Sequence, residues 1–595
     1  MKKILIVSIV LMCILATGAW FGKDQIKSLV EKNPQVYKIA QKISSKYRAL
    51  QFQYSSLGDL DKNESMTEAS FFIDFDNELG SFEKFWQGLG QDSFKDGFLK
   101  SHNEAYYKLI GGINQDRQLF KYVHSKGMFS DTYHEKRKEN TGGHIYTVEN
   151  GEVKYNWEIM DEIFDLILEC RMKPLVSFTY MPSALASNLK KKNPWHHGLV
   201  SPPNDYQEWQ KLIFNTVKHL EERYGNEEIE KWYYEVWNEP DLPRFFWVYH
   251  PNKKKFSNRG DNREYFKLYD YSVAGAIEAN EKIKIGGPAI AGDIEMFLNP
   301  WMDHIKSGTN LANARGGVRV DFLSRHNYGD LESKILPSMK AFIDNAKKHN
   351  GELVENSQFL ITEYGPTASP KAWLNTRYVA AWLVKLVDGI FYLGDREGSD
   401  YVPDMMFFWT KPIPPNFSDH FGIVTAFGHP KHPSPNSIVK RPVFNAFDAL
   451  SRLGSVRIEV KGTEFGDPIH AIAAKSGSNA VQVLIYHLDE GDKKNKNNKF
   501  FPVSISINNL PFSNFESNLY LIDKSHSNGY SVWQELGSPK RPNKNQLEQL
   551  QQRDDLELVE SEVVKIEAKK TYVKEVNLQN NSVALLILKA GNGKQ

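Results

Sequence analysis

Two glutamates in this 595-residue chain stand where chemistry is expected. Glu239 lies in Trp237-Asn238-Glu239-Pro240, directly after the apolar run Lys231–Trp237. Pro240 has no amide hydrogen to give a strand ladder, so the chain turns there and leaves Glu239 at a strand tip. Glu363 follows the apolar run Gln358–Thr362 and precedes Tyr364-Gly365-Pro366, a second stop. Two carboxyl groups flanking a glycosidic bond can cleave it: one protonates the leaving oxygen and the other attacks the anomeric carbon. A separation of about 5–5.5 Å marks retention of configuration. Asn238 is placed to hydrogen-bond a sugar 2-hydroxyl, a contact that strengthens in the transition state. His326 and Tyr328 follow Asp321–Arg325, and they either orient a carboxylate or bind sugar hydroxyls. Trp409 ends the run Asp404–Trp409 and is expected to floor a sugar subsite; Tyr180 ends Lys173–Tyr180 and joins the candidates.

Such tips must be held by a scaffold. From about residue 68 to 453, apolar strands alternate with amphipathic helices, the pattern of a parallel α/β sheet. Strands are predicted at Phe85–Gly90, Lys121–Met128, Lys173–Tyr180, Lys231–Trp237, Ile283–Gly287, Asp321–His326, Gln358–Thr362 and Asp404–Trp409. Helices are predicted at Trp157–Cys170, Asp205–Tyr224, Asn262–Asn280, Ile335–His349, Leu374–Asp388 and Val443–Leu453. About eight such units predict a (β/α)8 TIM barrel, whose active site lies at the C-terminal ends of its strands. Glu239 and Glu363 would then tip the fourth and seventh strands and face each other across the mouth. Past Gly454 the pattern changes: Val503–Ile507 alternates as a half-buried strand does, and Val481–His487, Asn518–Ile522 and Ser582–Leu588 also read as strands. Residues 454–595 are therefore expected to form a β-sandwich, with Phe71–Phe75 a candidate to pair into it.

Bulk properties narrow the function class. A net charge of +1 argues against a nucleic-acid-binding surface. With only Cys13 and Cys170, neither a disulfide framework nor a cysteine metal site can be built. His196 and His197 are adjacent and share no helix face, so no metal is expected, and no cofactor either. Met1-Lys2-Lys3 followed by the apolar run Ile4–Phe21 has the layout of an export signal. Residues 1–22 are read as a cleaved signal peptide or an uncleaved inner-membrane anchor, and 23–67 as a helical, charged connector. Export to the periplasm or outside the cell is expected, with a polysaccharide or oligosaccharide as the partner.

At these residues the chain resembles glycoside hydrolase family 39, which contains β-xylosidases and α-L-iduronidases. The likeness is carried by Tyr234–Trp247, Pro174–Ser187, Ser201–Trp209, Gly286–Ala289, Asp321–Tyr328 and Ile361–Pro366, and by Ile522–Pro539 in the tail. It implies retention, Glu239 as acid/base and Glu363 as nucleophile, and places Asn238, His326, Tyr328 and Trp409 on substrate-contact positions. Alternatives are a transglycosylase of exopolysaccharide processing and a non-catalytic carbohydrate-binding protein. The departures also carry meaning. Where relatives commonly read Arg-Phe-His-Gly, this chain has His124-Ser125-Lys126-Gly127, and Trp409-Thr410 is followed by Lys411 rather than acidic residues. Lys126, Lys411 and Arg325 are expected to give the pocket a positive mouth suited to a uronate or sulfated sugar. His124 is expected beside the substrate.

Overall fold

The computed structural model describes residues 69–591 apart from 135–138, 141, 196, 249–261, 412, 414–415, 418–420, 430–431 and 568. The expected signal or anchor at 1–22 and the connector at 23–67 lie outside the described residues, as do Cys13 and His196. Among the described residues, no helix is long and apolar enough to cross a membrane.

Eight parallel strands close into a barrel: β2 (Gly88–Gln91), β3 (Tyr122–Ser125), β4 (Lys173–Phe178), β5 (Tyr233–Val236), β6 (Lys284–Ile290), β7 (Phe322–Tyr328), β8 (Gln358–Gly365) and β9 (Met405–Thr410), with β9 pairing back onto β2. Each is followed by a helix: α1 (Ser101–Asp116), α2 (Glu158–Glu169), α3 (Tyr206–Tyr224), α4 (Arg263–Ala279), α5 (Asn299–Ser307), α6 (Leu336–Asn356), α7 (Arg377–Glu397) and α8 (Pro442–Ser451). The helices form because their apolar residues recur at helical spacing. In α2, Met160, Ile163, Phe164 and Ile167 make one buried stripe. Asp205 caps α3 by accepting the amide hydrogens of Gln207 and Glu208.

Helix α7 is apolar nearly all round because it is covered on both sides. One side meets the barrel and α8, the other the C-terminal β module. That module is a nine-stranded sheet folded over its own core, with strands β10 (Val456–Lys461), β11 (Ile469–Ser476), β12 (Ala480–His487), β13 (Phe500–Asn508), β14 (Asn514–Ile522), β15 (Glu557–Lys565), β16 (Tyr572–Gln579) and β17 (Ser582–Ala590). The ninth strand, β1 (Ala69–Ser81), precedes the barrel in sequence. It runs parallel to β13 and antiparallel to β10, with Phe71, Ile73 and Phe75 in the module's core. A division of the chain at residue 454 therefore separates β1 from the sheet it completes, because its alternating apolar face can be buried only against the tail strands. The two layers are locked together at Asp388 of α7, which accepts hydrogen bonds from His470 Nδ1 (2.7 Å) and the Tyr486 hydroxyl (2.8 Å).

Candidate active site

Strand alternation places most of the site. Inward rows run Tyr122, His124, Lys126 along β3 and just beyond it, Tyr233 and Glu235 along β5, Phe322, Ser324, His326 and Tyr328 along β7, and Met405, Phe407 and Trp409 along β9. Tyr122, Leu175, Tyr233, Phe322, Leu360, Met405 and Phe407 form a buried apolar floor. A polar layer of His124, Glu235 and Thr362 sits above it, and Lys126, His326, Glu363 and Trp409 form the mouth. Glu363 reaches the mouth through an irregularity. Arg325 pairs with Ile361 but His326 pairs with Glu363, so β8 carries one extra residue at Thr362. Such a bulge re-aims the following side chain. Glu239 is set differently. Trp237 (φ +70°) and Glu239 (φ +44°) take left-handed conformations that non-glycine residues seldom adopt. The Glu239 amide donates to the carbonyl of Ala289 (2.9 Å), itself at φ +52°. Asp241 ties this turn to the loop after β6 by accepting the amide hydrogens of Ala291, Gly292 and Asp293.

The result is a close triad. A carboxylate oxygen of Glu239, a ring nitrogen of His326 and a carboxylate oxygen of Glu363 all lie within 4.8 Å of one another. Glu239 is 9% exposed and Glu363 5%. His326 Nδ1 is 2.8 Å from Glu239 Oε1 and 3.5 Å from Glu363 Oε2. Burial holds His326 well below the usual imidazole range, helped by the charges of Lys126 and Arg325, so the ring is neutral. With a carboxylate as acceptor, Nδ1 carries the hydrogen and donates it to Glu239, leaving Nε2 as the lone-pair nitrogen. Glu363 has two donors: the Tyr328 hydroxyl at 2.6 Å and the Lys126 ammonium in direct contact. The same ammonium lies 4.3 Å from the centroid of the Trp409 ring. Burial draws Lys126 down to about 8, against the pull of the Glu239, Asp92 and Glu235 carboxylates. By residue type the Glu239, His326 and Glu363 atoms could ligate a cation. The Lys126 charge on Glu363 and the His326 hydrogen bond on Glu239 already engage them.

The remaining expected residues divide. Asn238 and Tyr180 are buried together beside Glu239: the Tyr180 ring meets Trp237 edge-on at 6.0 Å and its hydroxyl lies against Asn238. Lys411 reaches the rim and pairs with Asp92 at 3.4 Å. His124 lies one layer too deep to line the mouth. It is fully buried, Nδ1 donates to the Thr362 carbonyl at 2.9 Å, and Nε2 lies 3.3 Å from Glu235 Oε2. The expected positive mouth loses Arg325. It follows an inward Ser324 and precedes an inward His326, so it points out of the barrel. There it donates to the Ser338 carbonyl and packs on Phe342 of α6. Two acids went unremarked in the sequence. Asp92 stands at the tip of β2, and Glu235 stands two residues before Trp237 in the inward row. Burial raises Glu235 to about 7, with the Ser324 and Thr362 hydroxyls and Lys126 working the other way. Their strand-end and period-two positions were the available signals.

A profile described as Glycosyl hydrolases family 39 matches residues 71–567. A Beta-xylosidase of Caldicellulosiruptor saccharolyticus is 27% identical over 500 residues, covering 81% of this chain and 91% of that protein. An Alpha-L-iduronidase of Mus musculus is 24% identical over 431 residues, 67% of this chain and 63% of that protein. The crystal structure of the GH39 enzyme from Xanthomonas axonopodis pv. citri superposes with a TM-score of 0.70 at 19% identity, covering 90% of this chain and all of that one, and shares the fold.

Proposed function

The chain belongs to glycosyl hydrolases family 39 and is a retaining glycoside hydrolase, and we propose that Glu363 is its nucleophile and Glu239 its acid/base. One observation carries the assignment: the two carboxyl groups share a mouth but not an environment. Glu363 receives the Lys126 ammonium and the Tyr328 hydroxyl, donors that favour the charged form a nucleophile needs. Glu239 receives a hydrogen bond from a neutral imidazole, which suits a group that must hold and release a proton.

Cleavage runs in two displacements. Glu363 attacks the anomeric carbon as Glu239 hands its proton to the leaving oxygen. Glu239, now a carboxylate accepting from His326, then takes a proton from the water that releases the sugar. Asn238 is assigned to the 2-hydroxyl and Trp409 to the ring face, with Lys126 bridging Trp409 and Glu363. Lys411 contributes at the rim, while His124 supports the site from the layer beneath.

A neutral pentoside is the favoured substrate unit. The Lys126 charge is matched by Glu363 and that of Lys411 by Asp92, and Arg325 faces away, so none of these three cations is left over for a uronate carboxylate. Similarity to a protein named Beta-xylosidase over most of its length supports the same class. A uronate is the second reading, favoured by the likeness to an Alpha-L-iduronidase. The charge-then-apolar run Met1–Phe21 supports export. Incubation with a 2-deoxy-2-fluoro-xyloside, followed by peptide mass spectrometry, tests the roles: a sugar adduct on Glu363 is expected. An adduct on Glu239, or turnover by Glu363→Gln at the wild-type rate, refutes the assignment. Faster turnover of uronides than of xylosides overturns the substrate class.

A further inference from the structure

We infer that Trp195, after β4, with Arg244 and Phe245, after β5, forms a leaving-group subsite, in which Trp195 is the platform for a neutral pyranose ring. The inference rests on Glu239 being the acid/base. An acid delivers its proton to the leaving oxygen, so the departing sugar occupies the side of the mouth from which Glu239 reaches.

The chain beyond Glu239 is held tightly on that side. The Leu242 amide donates to the Glu239 carbonyl (3.0 Å), and the Phe245 amide to the Leu242 carbonyl (2.9 Å). The indole N–H of Trp237, two residues before the acid, donates to the Phe245 carbonyl at 2.8 Å. Phe245 is thereby fixed to the strand end that carries Glu239. Its ring stacks on Trp195 from the loop after β4, with centroids 5.6 Å apart and planes at 23°. The Arg244 guanidinium lies 4.9 Å from the Trp195 ring and 5.5 Å from the Phe245 ring.

Trp195 is nonetheless 46% exposed, Leu189 on the same loop 59%, and Tyr133 on the loop after β3 46%. The two loops are joined where the Thr132 hydroxyl donates to the His197 carbonyl at 2.7 Å. A scattered exposed apolar side chain needs no explanation, but several along one rim beside a catalytic mouth mark a binding surface. A half-exposed indole backed by a second ring and edged by an exposed guanidinium suits a pyranose. The C–H face of the sugar covers the ring while the guanidinium donates to its hydroxyls. The occupant is therefore the sugar on the far side of the scissile bond, and the enzyme is built for oligosaccharides rather than small aglycones.

The test compares β-1,4-xylotriose with β-xylosyl fluoride, whose leaving group has no ring. In Trp195→Ala the ratio of kcat/KM for xylotriose to that for the fluoride is expected to fall about tenfold, and Trp195→Phe to recover most of the loss. An unchanged ratio overturns the subsite. A binding arm needs no turnover: xylotriose titrated into Glu363→Gln should bind about tenfold more weakly once Trp195→Ala is added. No binding, or binding indifferent to Trp195, also overturns the subsite. A wild-type enzyme idle on xylosyl fluoride refutes the pentoside reading instead, and the binding arm then decides this one. Self-association that Trp195→Ala abolishes, with xylotriose kinetics unaltered, would assign the rim to a second copy and equally overturn it.

Discussion

Replacing Lys126 by methionine removes the cation from Glu363 while keeping an unbranched chain over Trp409. Both side chains of the pair are buried, 3% and 6% exposed, so solvent screens little of their attraction. At an effective dielectric near 20, unit charges about 4 Å apart interact by about 4 kcal/mol. Cations at such range shift a carboxyl by about 1–3 pH units. The sign follows from the role. The cation favours the carboxylate that attacks, so its loss lets protonation compete at higher pH. The acid limb of kcat/KM should move up by about 1–3 pH units. At a pH below both limbs that is roughly a 10- to 1000-fold loss, shrinking as pH rises. The assay is kcat/KM against pH, with thermal melting to establish folding, since breaking a buried pair costs about 3–5 kcal/mol. Lys126→Arg keeps the charge and should keep the acid limb. The wild type should also lose activity above about pH 8, where buried Lys126 gives up its proton. An acid limb that stays in place in folded Lys126→Met refutes the proposed pairing as the source of the nucleophile's charge.

Tyr328→Phe deletes the 2.6 Å hydrogen bond to Glu363, worth about 1.5–3 kcal/mol for a charged acceptor, and should lower kcat/KM by about 10- to 150-fold without changing the melting temperature greatly. Glu239→Gln should lower kcat/KM for substrates with sugar leaving groups by about 10²–10⁴ and spare kcat/KM for glycosyl fluorides, whose departure needs no proton; equal losses in kcat/KM on both would remove Glu239 as the acid. Burial works against the charged form of His470, but the Asp388 hydrogen bond and charge prevail and raise its pKa. That stabilisation is fully present below the unfolded histidine value and is lost as pH rises through the folded one. Asp388→Asn should therefore lower the melting temperature more at pH 5.5 than at pH 9 while leaving the active-site kinetics alone; an equal drop at both refutes the linkage.

Much of this arrangement was readable along the chain because it is local. An apolar run stopped by Pro240 or by Gly365-Pro366 declares a strand end, and the alternation of runs with amphipathic helices declares a barrel. The positions of Glu239 and Glu363 on its fourth and seventh strands follow from counting. Period two also settles Arg325: with His326 turned inward, Arg325 must turn outward.

Other features depend on parts of the chain that meet only in the fold. Tyr122, His124 and Lys126 share one inward row, but how deep each sits depends on the stagger of the closed barrel. That stagger sinks His124 beside Glu235 and leaves Lys126 against Glu363. The bulge that turns Glu363 inward appears only as a register shift between β7 and β8. Strand β1 needs a sheet built from the far end of the chain. Residue types and spacing thus determined which groups stand at the strand tips. Tertiary packing decided which carboxyl group meets a cation and which a neutral imidazole, because charge and burial are properties of neighbours in space.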